Sequence, residues 1–185
     1  MRQTRQQHLA RMPSRRGVLR MGAIAGVTIL SRGTALARHC RSLSLYAVHT
    51  GERLTADYCV DGSYQPDALR AIARVMRDVH SDTVHSIDVD LLDGLSRLGR
   101  ILGARGPLHV VSGYRTHETN ERLRQSDHSV AANSFHVEGK AADFFIPGRR
   151  LASVKHVAQA LRVGGVGYYP TSGFVHVDTG PQRLW

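Results

Sequence analysis

The chemistry in this sequence is concentrated in two short stretches. His136-Val137-Glu138-Gly139-Lys140-Ala141-Ala142-Asp143 places an imidazole seven residues ahead of a carboxylate. That interval fits no one-turn helical clip. It suits a loop ligand followed by a strand ligand, with Gly139 permitting the turn between them. Phe174-Val175-His176-Val177-Asp178 alternates with period two, so His176 and Asp178 share one strand face and the two valines the other. Two neutral imidazoles and one carboxylate make a three-ligand set for zinc that leaves a fourth position for water. Water on such an ion becomes a usable nucleophile near neutral pH. The same donors suit other transition metals, and a structural His–Asp hydrogen bond would use the same residue types.

Ser134-x-His136-x-x-Gly139-x-Ala141-x-Asp143, preceded by Ser112-Gly113-Tyr114-Arg115 and followed by a strand histidine, resembles the M15-type zinc peptidases. That group comprises D-alanyl-D-alanine carboxypeptidases, dipeptidases and murein endopeptidases. Gly164-Gly165-Val166-Gly167-Tyr168-Tyr169-Pro170 and Phe174 to Gly180 are similar to its exported branch, once catalogued as a domain of unknown function, and the resemblance runs from about Leu43 to Trp185. It implies that His136, Asp143 and His176 hold one Zn2+. It further implies that Ser134 steadies the carboxylate or its loop, and that Arg115 binds the substrate carbonyl and stabilises the oxyanion.

Several members of the group carry a carboxylate three residues before the last histidine, where this chain has Gly173. Proton transfer to the leaving amine then needs another acceptor. Strand alternation turns Asp178 toward the same face as His176, and Glu138 is the alternative. The implied activity is zinc-dependent hydrolysis of peptidoglycan stem-peptide cross-links, as a murein endopeptidase or a carboxypeptidase, in cell-wall remodelling. Gly173 keeps a second expectation open, a catalytically silent, metal-stabilised module that binds cell-wall peptide.

These residues must be positioned by the elements around them. Leu43 to Val48 and Arg53 to Tyr58 read as a hairpin turning near Thr50-Gly51. Pro66 opens an amphipathic helix carrying Leu69, Ile72 and Met76, and a second helical stripe runs from Leu91 to Leu102. Strands follow at Leu108 to Val111, Ala141 to Ile146, Val166 to Tyr169 and Phe174 to Asp178. A helix capped by Thr116 and another from Leu151 to Val163 lie among them. The fold class expected is α+β: a small, mainly antiparallel sheet flanked by helices, with the zinc site on the sheet and an N-terminal β-hairpin.

Residues 1–37 stand apart. They hold seven arginines and no acid, and without them 18 basic residues face 15 acidic ones, although the 185-residue chain carries a net charge of +10. The basicity therefore belongs mainly to the leader, and no nucleic-acid partner is expected. Arg15-Arg16 before the weakly apolar run Met21 to Leu30, then Ala35-x-Ala37, resembles a cleavable twin-arginine export signal. The run is too short to span a bilayer. The expectation is a domain over residues 38–185, delivered to the periplasm by the twin-arginine machinery and left without a stable membrane anchor. In that compartment Cys40 and Cys59, flanking the hairpin, are expected to form a disulfide. His109 reads as a core histidine, His80, His85, His117, His128 and His156 as solvated, and Tyr168, Tyr169 and Trp185 as aromatic packing at the core or an edge, with the lining of a sugar- or peptide-binding cleft as the alternative.

Overall fold

The computed structural model describes residues 39–126 and 130–185, so the expected leader and His128 lie outside the described residues. Within them the elements run β1 (Cys40–Ala47), β2 (Arg53–Val60), β3 (Ser63–Tyr64), α1 (Pro66–Val75), α2 (Val89–Ile101), β4 (Leu108–Ser112) and α3 (His117–Ser126). A 3-10 turn (Phe135–Glu138), β5 (Ala141–Phe145), α4 (Leu151–Leu161), β6 (Gly165–Tyr169), β7 (Phe174–Asp178) and β8 (Arg183–Leu184) complete the chain. The eight strands form one sheet in the order β3-β2-β1-β4-β5-β7-β6-β8. All pairings are antiparallel except β1 with β4 and β6 with β8. The fold is α+β, with the hairpin joined directly to the main sheet through β1.

Alternation assigns the two faces. Leu43, Leu45, Ala47, Leu108, Val110, Ala142, Phe144, Val166, Val175 and Val177 point to one side and form a single buried core with the helices. From α2 the stripe Leu91, Leu92, Leu95 and Leu98 is at most 1% exposed, each side chain contributing roughly 1.5–3 kcal/mol of transfer free energy. α1 packs on β1 and β2, α2 on β1 and α4, and α4 on β6 and β7. Asp143, Gly167, Tyr169, His176 and Asp178 alternate with these core residues and lie on the opposite face.

The hairpin corrects the expected disulfide. Cys40 pairs with Val60 and Arg41 with Cys59, so the two cysteines are offset by one residue and project from opposite faces of the ribbon. Both are free thiols, Cys40 exposed and Cys59 buried. The Arg41 guanidinium donates to Cys59 Sγ at 2.8 Å and pairs with Asp93. Among the described residues no helix is long and apolar enough to cross a membrane.

Candidate active site

Sheet register brings the distant motifs together. Asp143 on β5 pairs with His176 on β7 and with Ser112 on β4, and Gly167 on β6 pairs with His176 from the other side. His136 arrives from the 3-10 turn, which Ser134 caps by accepting from the His136 backbone N–H at 3.4 Å. The turn ends on Gly139, whose φ of +67° is the left-handed region that glycine enters freely. A Cβ at Gly139 would lie 2.2 Å from the Ser86 carbonyl oxygen, so the α1–α2 connection also requires glycine here.

The result is a tight triangle. His136 Nε2 lies 3.2 Å from His176 Nδ1 and 3.3 Å from Asp143 Oδ2, and His176 Nδ1 lies 2.8 Å from Asp143 Oδ1. Three donors bound tetrahedrally at about 2.0–2.1 Å would stand about 3.3 Å apart, so the triangle is already near the size that a small divalent ion needs. The remaining ring nitrogens decide what points inward. His136 Nδ1 donates to the Gly113 carbonyl at 2.6 Å, which leaves Nε2 as a lone pair. His176 Nε2 donates to Asp178 Oδ2 at 3.0 Å, so the neutral ring presents the Nδ1 lone pair to the triangle, while the protonated ring donates from Nδ1 to Asp143 Oδ1. Two ring nitrogens and a carboxylate crowded within hydrogen-bond range repel unless positive charge, a proton on His176 or a metal ion, sits among them, and these residues therefore fit a cation.

The chain's own electrostatics show the same demand for positive charge. Burial disfavours charge on Asp143, yet the His136 and His176 imidazoles outweigh it and hold the carboxyl well below its usual range. Burial pushes His136 down. Burial also opposes charge on His176, but the Asp143 and Asp178 carboxylates overcome it and raise the imidazole.

Arg115 approaches from the β4 side. Its backbone N–H donates to the His136 carbonyl at 3.1 Å, its guanidinium lies 3.8 Å from Asp143 Oδ2, and its buried Nε has no protein partner. Burial lowers its pKa against the opposing pull of Asp143, Asp78 and Tyr169. A desolvated guanidinium lining the cleft is suited to binding a substrate oxygen.

Neither sequence-expected base stands at the triangle. Asp178 does share the His176 face, but its carboxylate lies at the far edge of the His176 ring. It is fully buried and saturated: Oδ1 accepts from the Gly165 and Gly180 backbone N–H groups at 3.1 and 2.8 Å, and Arg183 donates to both oxygens. Glu138 is exposed, pairs with Lys140 at 2.8 Å and is outside the cleft lining. The alternation that chose Asp178 was right about the face and silent about which ring edge it meets.

A cleft of about 630 Å³ surrounds the triangle, and Arg115, Ser134, Tyr169, Arg183 and Trp185 help to line it. Tyr169 and Trp185 thus follow the cleft-lining alternative, while Tyr168 packs on the core. Sequence reading also missed the Gly113 carbonyl and Arg183. Gly113 carried a signal, since it sits inside the motif that ends in Arg115, but a backbone acceptor leaves no side-chain signature. His109 lies tilted between the Tyr46 and Phe145 rings on the open face, half-buried and away from the triangle, so it is not the core histidine expected.

The family model described as peptidoglycan L,D-endopeptidase MepK matches residues 35–185. The chain is 40% identical over 176 residues to peptidoglycan L,D-endopeptidase MepK of Escherichia coli (strain K12), and to that of Shigella flexneri, covering 93% of this chain and 97% of each relative. It is 40% identical over 177 residues to the probable peptidoglycan L,D-endopeptidase MepK of Haemophilus influenzae, covering 93% of this chain and 95% of the relative. No solved structure matches.

Proposed function

The chain belongs to the M15-type peptidase family of the peptidoglycan L,D-endopeptidase MepK, and from that premise we propose that it is a zinc-dependent murein endopeptidase hydrolysing an L,D-peptide bond in stem-peptide cross-links. The observation that supports this most directly is the convergence of two buried imidazoles and one carboxylate beside a desolvated guanidinium. His136, Asp143 and His176 would hold the ion. A zinc ion there supplies Lewis acidity for the scissile carbonyl and for the attacking water.

Everything else is the work of the chain. The Gly113 carbonyl and the Asp178 carboxylate fix the two rings in the tautomers that ligation requires. Arg115 donates to the carbonyl oxygen as it becomes an oxyanion, where a fixed cation stabilises most. Ser134 holds the turn that carries His136. The peptide would lie in the cleft lined by Arg115, Tyr169 and Trp185. The leader at residues 1–37 and the peptidoglycan substrate together favour a periplasmic enzyme exported by the twin-arginine machinery and released as residues 38–185.

Digestion of purified cross-linked peptidoglycan tests the reading. Zinc-loaded protein should release cross-link-derived peptides, chelator should stop the release, and fresh zinc should restore it. His136→Ala should be silent with any metal supplied. Digestion that persists through chelation, or in His136→Ala, would remove the metal site from the reaction. Binding of the peptides without any cleavage would favour the silent module.

A further inference from the structure

With Asp178 and Glu138 placed away from the triangle, Arg115 is left as one donor on one flank of the site. The other flank holds a second. The sheet order β4-β5-β7-β6 sets Asp143 and His176 on the two central strands, Arg115 beyond β4 and Tyr169 on β6. Gly167 pairs with His176, so Tyr169, two residues on, shares the His176 face. Its ring is stacked on Phe174 at 4.8 Å between centroids.

The orientation of the Tyr169 hydroxyl is fixed by Trp185. The indole Nε1–H donates to Tyr169 Oη at 2.7 Å, while the indole ring lies 5.3 Å from the His176 ring, centroid to centroid. Trp185 is itself anchored along the sheet edge, its N–H donating to the Val166 carbonyl and its carbonyl accepting from Tyr168. The space for this arrangement comes from Gly167: a Cβ there would stand 2.8 Å from both the Trp185 and the Tyr169 rings. A phenol has one proton and two lone pairs. Trp185 occupies a lone pair, and the phenol's own proton has no partner among the described residues. Tyr169 and Arg115 line the same cleft.

We infer that Tyr169 is a second oxyanion donor, its O–H hydrogen-bonding the scissile carbonyl oxygen from the flank opposite Arg115 while keeping its proton, with Trp185 as the positioning residue that aims it. The inference rests on the peptidase reading above and deepens it.

The test uses zinc-loaded protein with two probes, a soluble cross-linked muropeptide dimer and a phosphinate dipeptide that mimics the tetrahedral oxyanion. Tyr169→Phe keeps the ring and should lower kcat about 100-fold, leave KM within about twofold, and weaken phosphinate binding by a similar factor, with zinc content and Tm unchanged. Trp185→Phe should give a smaller loss, and adding it to Tyr169→Phe should cost no more than Tyr169→Phe alone. Unchanged kcat and phosphinate affinity in Tyr169→Phe, or a loss confined to KM, overturns the inference. If wild-type protein does not cleave the dimer, hydrolysis is refuted, and the phosphinate comparison still decides the role of Tyr169.

Discussion

An imidazole binds a metal only through a nitrogen that presents a lone pair, and the partner of its other nitrogen determines which one that is. In this chain the two partners differ in kind. His136 uses a backbone carbonyl, whereas His176 uses the buried Asp178 carboxylate, itself clamped by Arg183 and two backbone N–H groups. Asp178→Asn separates a positioning role from a proton-transfer role. The amide oxygen can still accept from Nε2 but without charge, so zinc affinity should fall about 10- to 100-fold. At saturating zinc, kcat should recover to within about tenfold of wild type. Chelator competition and steady-state kinetics on the same preparation read both quantities. Intact zinc affinity with kcat reduced 100-fold would return Asp178 to the role of base. The convergence of His136, Asp143 and His176 was legible because side-chain type and strand period are printed in the sequence. The edge of the ring that each partner meets is a rotamer property, and it is not.

Element by element, the sequence speaks most clearly where one face is apolar. The alternation in Phe174 to Asp178 and the leucine stripe of α2 predict β7 and α2 closely, because period and burial coincide. The parallel pairing of β1 with β4 is not legible, since it joins strands about sixty residues apart through register that no local pattern encodes. Neither are the two-residue strands β3 and β8, which exist only because an edge is available to them. Gly139 was legible as a turn and illegible as a contact. Gly139→Ala imposes a left-handed alanine and a Cβ 2.2 Å from the Ser86 oxygen, while the Gly139 carbonyl is the acceptor for the Asp88 N–H at the start of α2. The expected outcome is a loss of at least about 2 kcal/mol in stability, seen as a lower urea midpoint, together with weaker zinc retention because the turn carrying His136 is displaced. A variant with wild-type midpoint would mean that the α1–α2 connection yields at no cost.

Across the whole molecule, the open-face site depends on a connection made from the helical side. The loop after α1 reaches the end of β4: the Met76 carbonyl accepts from Tyr114 N–H at 2.7 Å, and a Cβ at Gly113 would stand 2.3 Å from that same oxygen. Asp78, buried at 1% exposure, completes the seam by accepting from the Thr116 N–H and hydroxyl and from the His80 N–H, each at 2.9 Å. Burial opposes charge on Asp78, but the hydroxyl and backbone donors of Thr119, Thr116 and His80 outweigh it and bring its pKa down to about 2. The unfolded chain returns it to about 3.9. A depressed folded value means the stabilisation is present in full above about pH 4 and is lost as pH falls toward 2. Its size is at most about 3 kcal/mol. Asp78→Asn should therefore lower the urea midpoint at neutral pH, and the gap to wild type should close on acidification between about pH 4 and 2. Because Thr116 adjoins Arg115, the same variant should also raise KM or lower kcat at neutral pH while zinc content holds. A gap independent of pH would show that the Asp78 contribution is packing and hydrogen-bond geometry without net charge, and unaltered kinetics would uncouple the seam from Arg115.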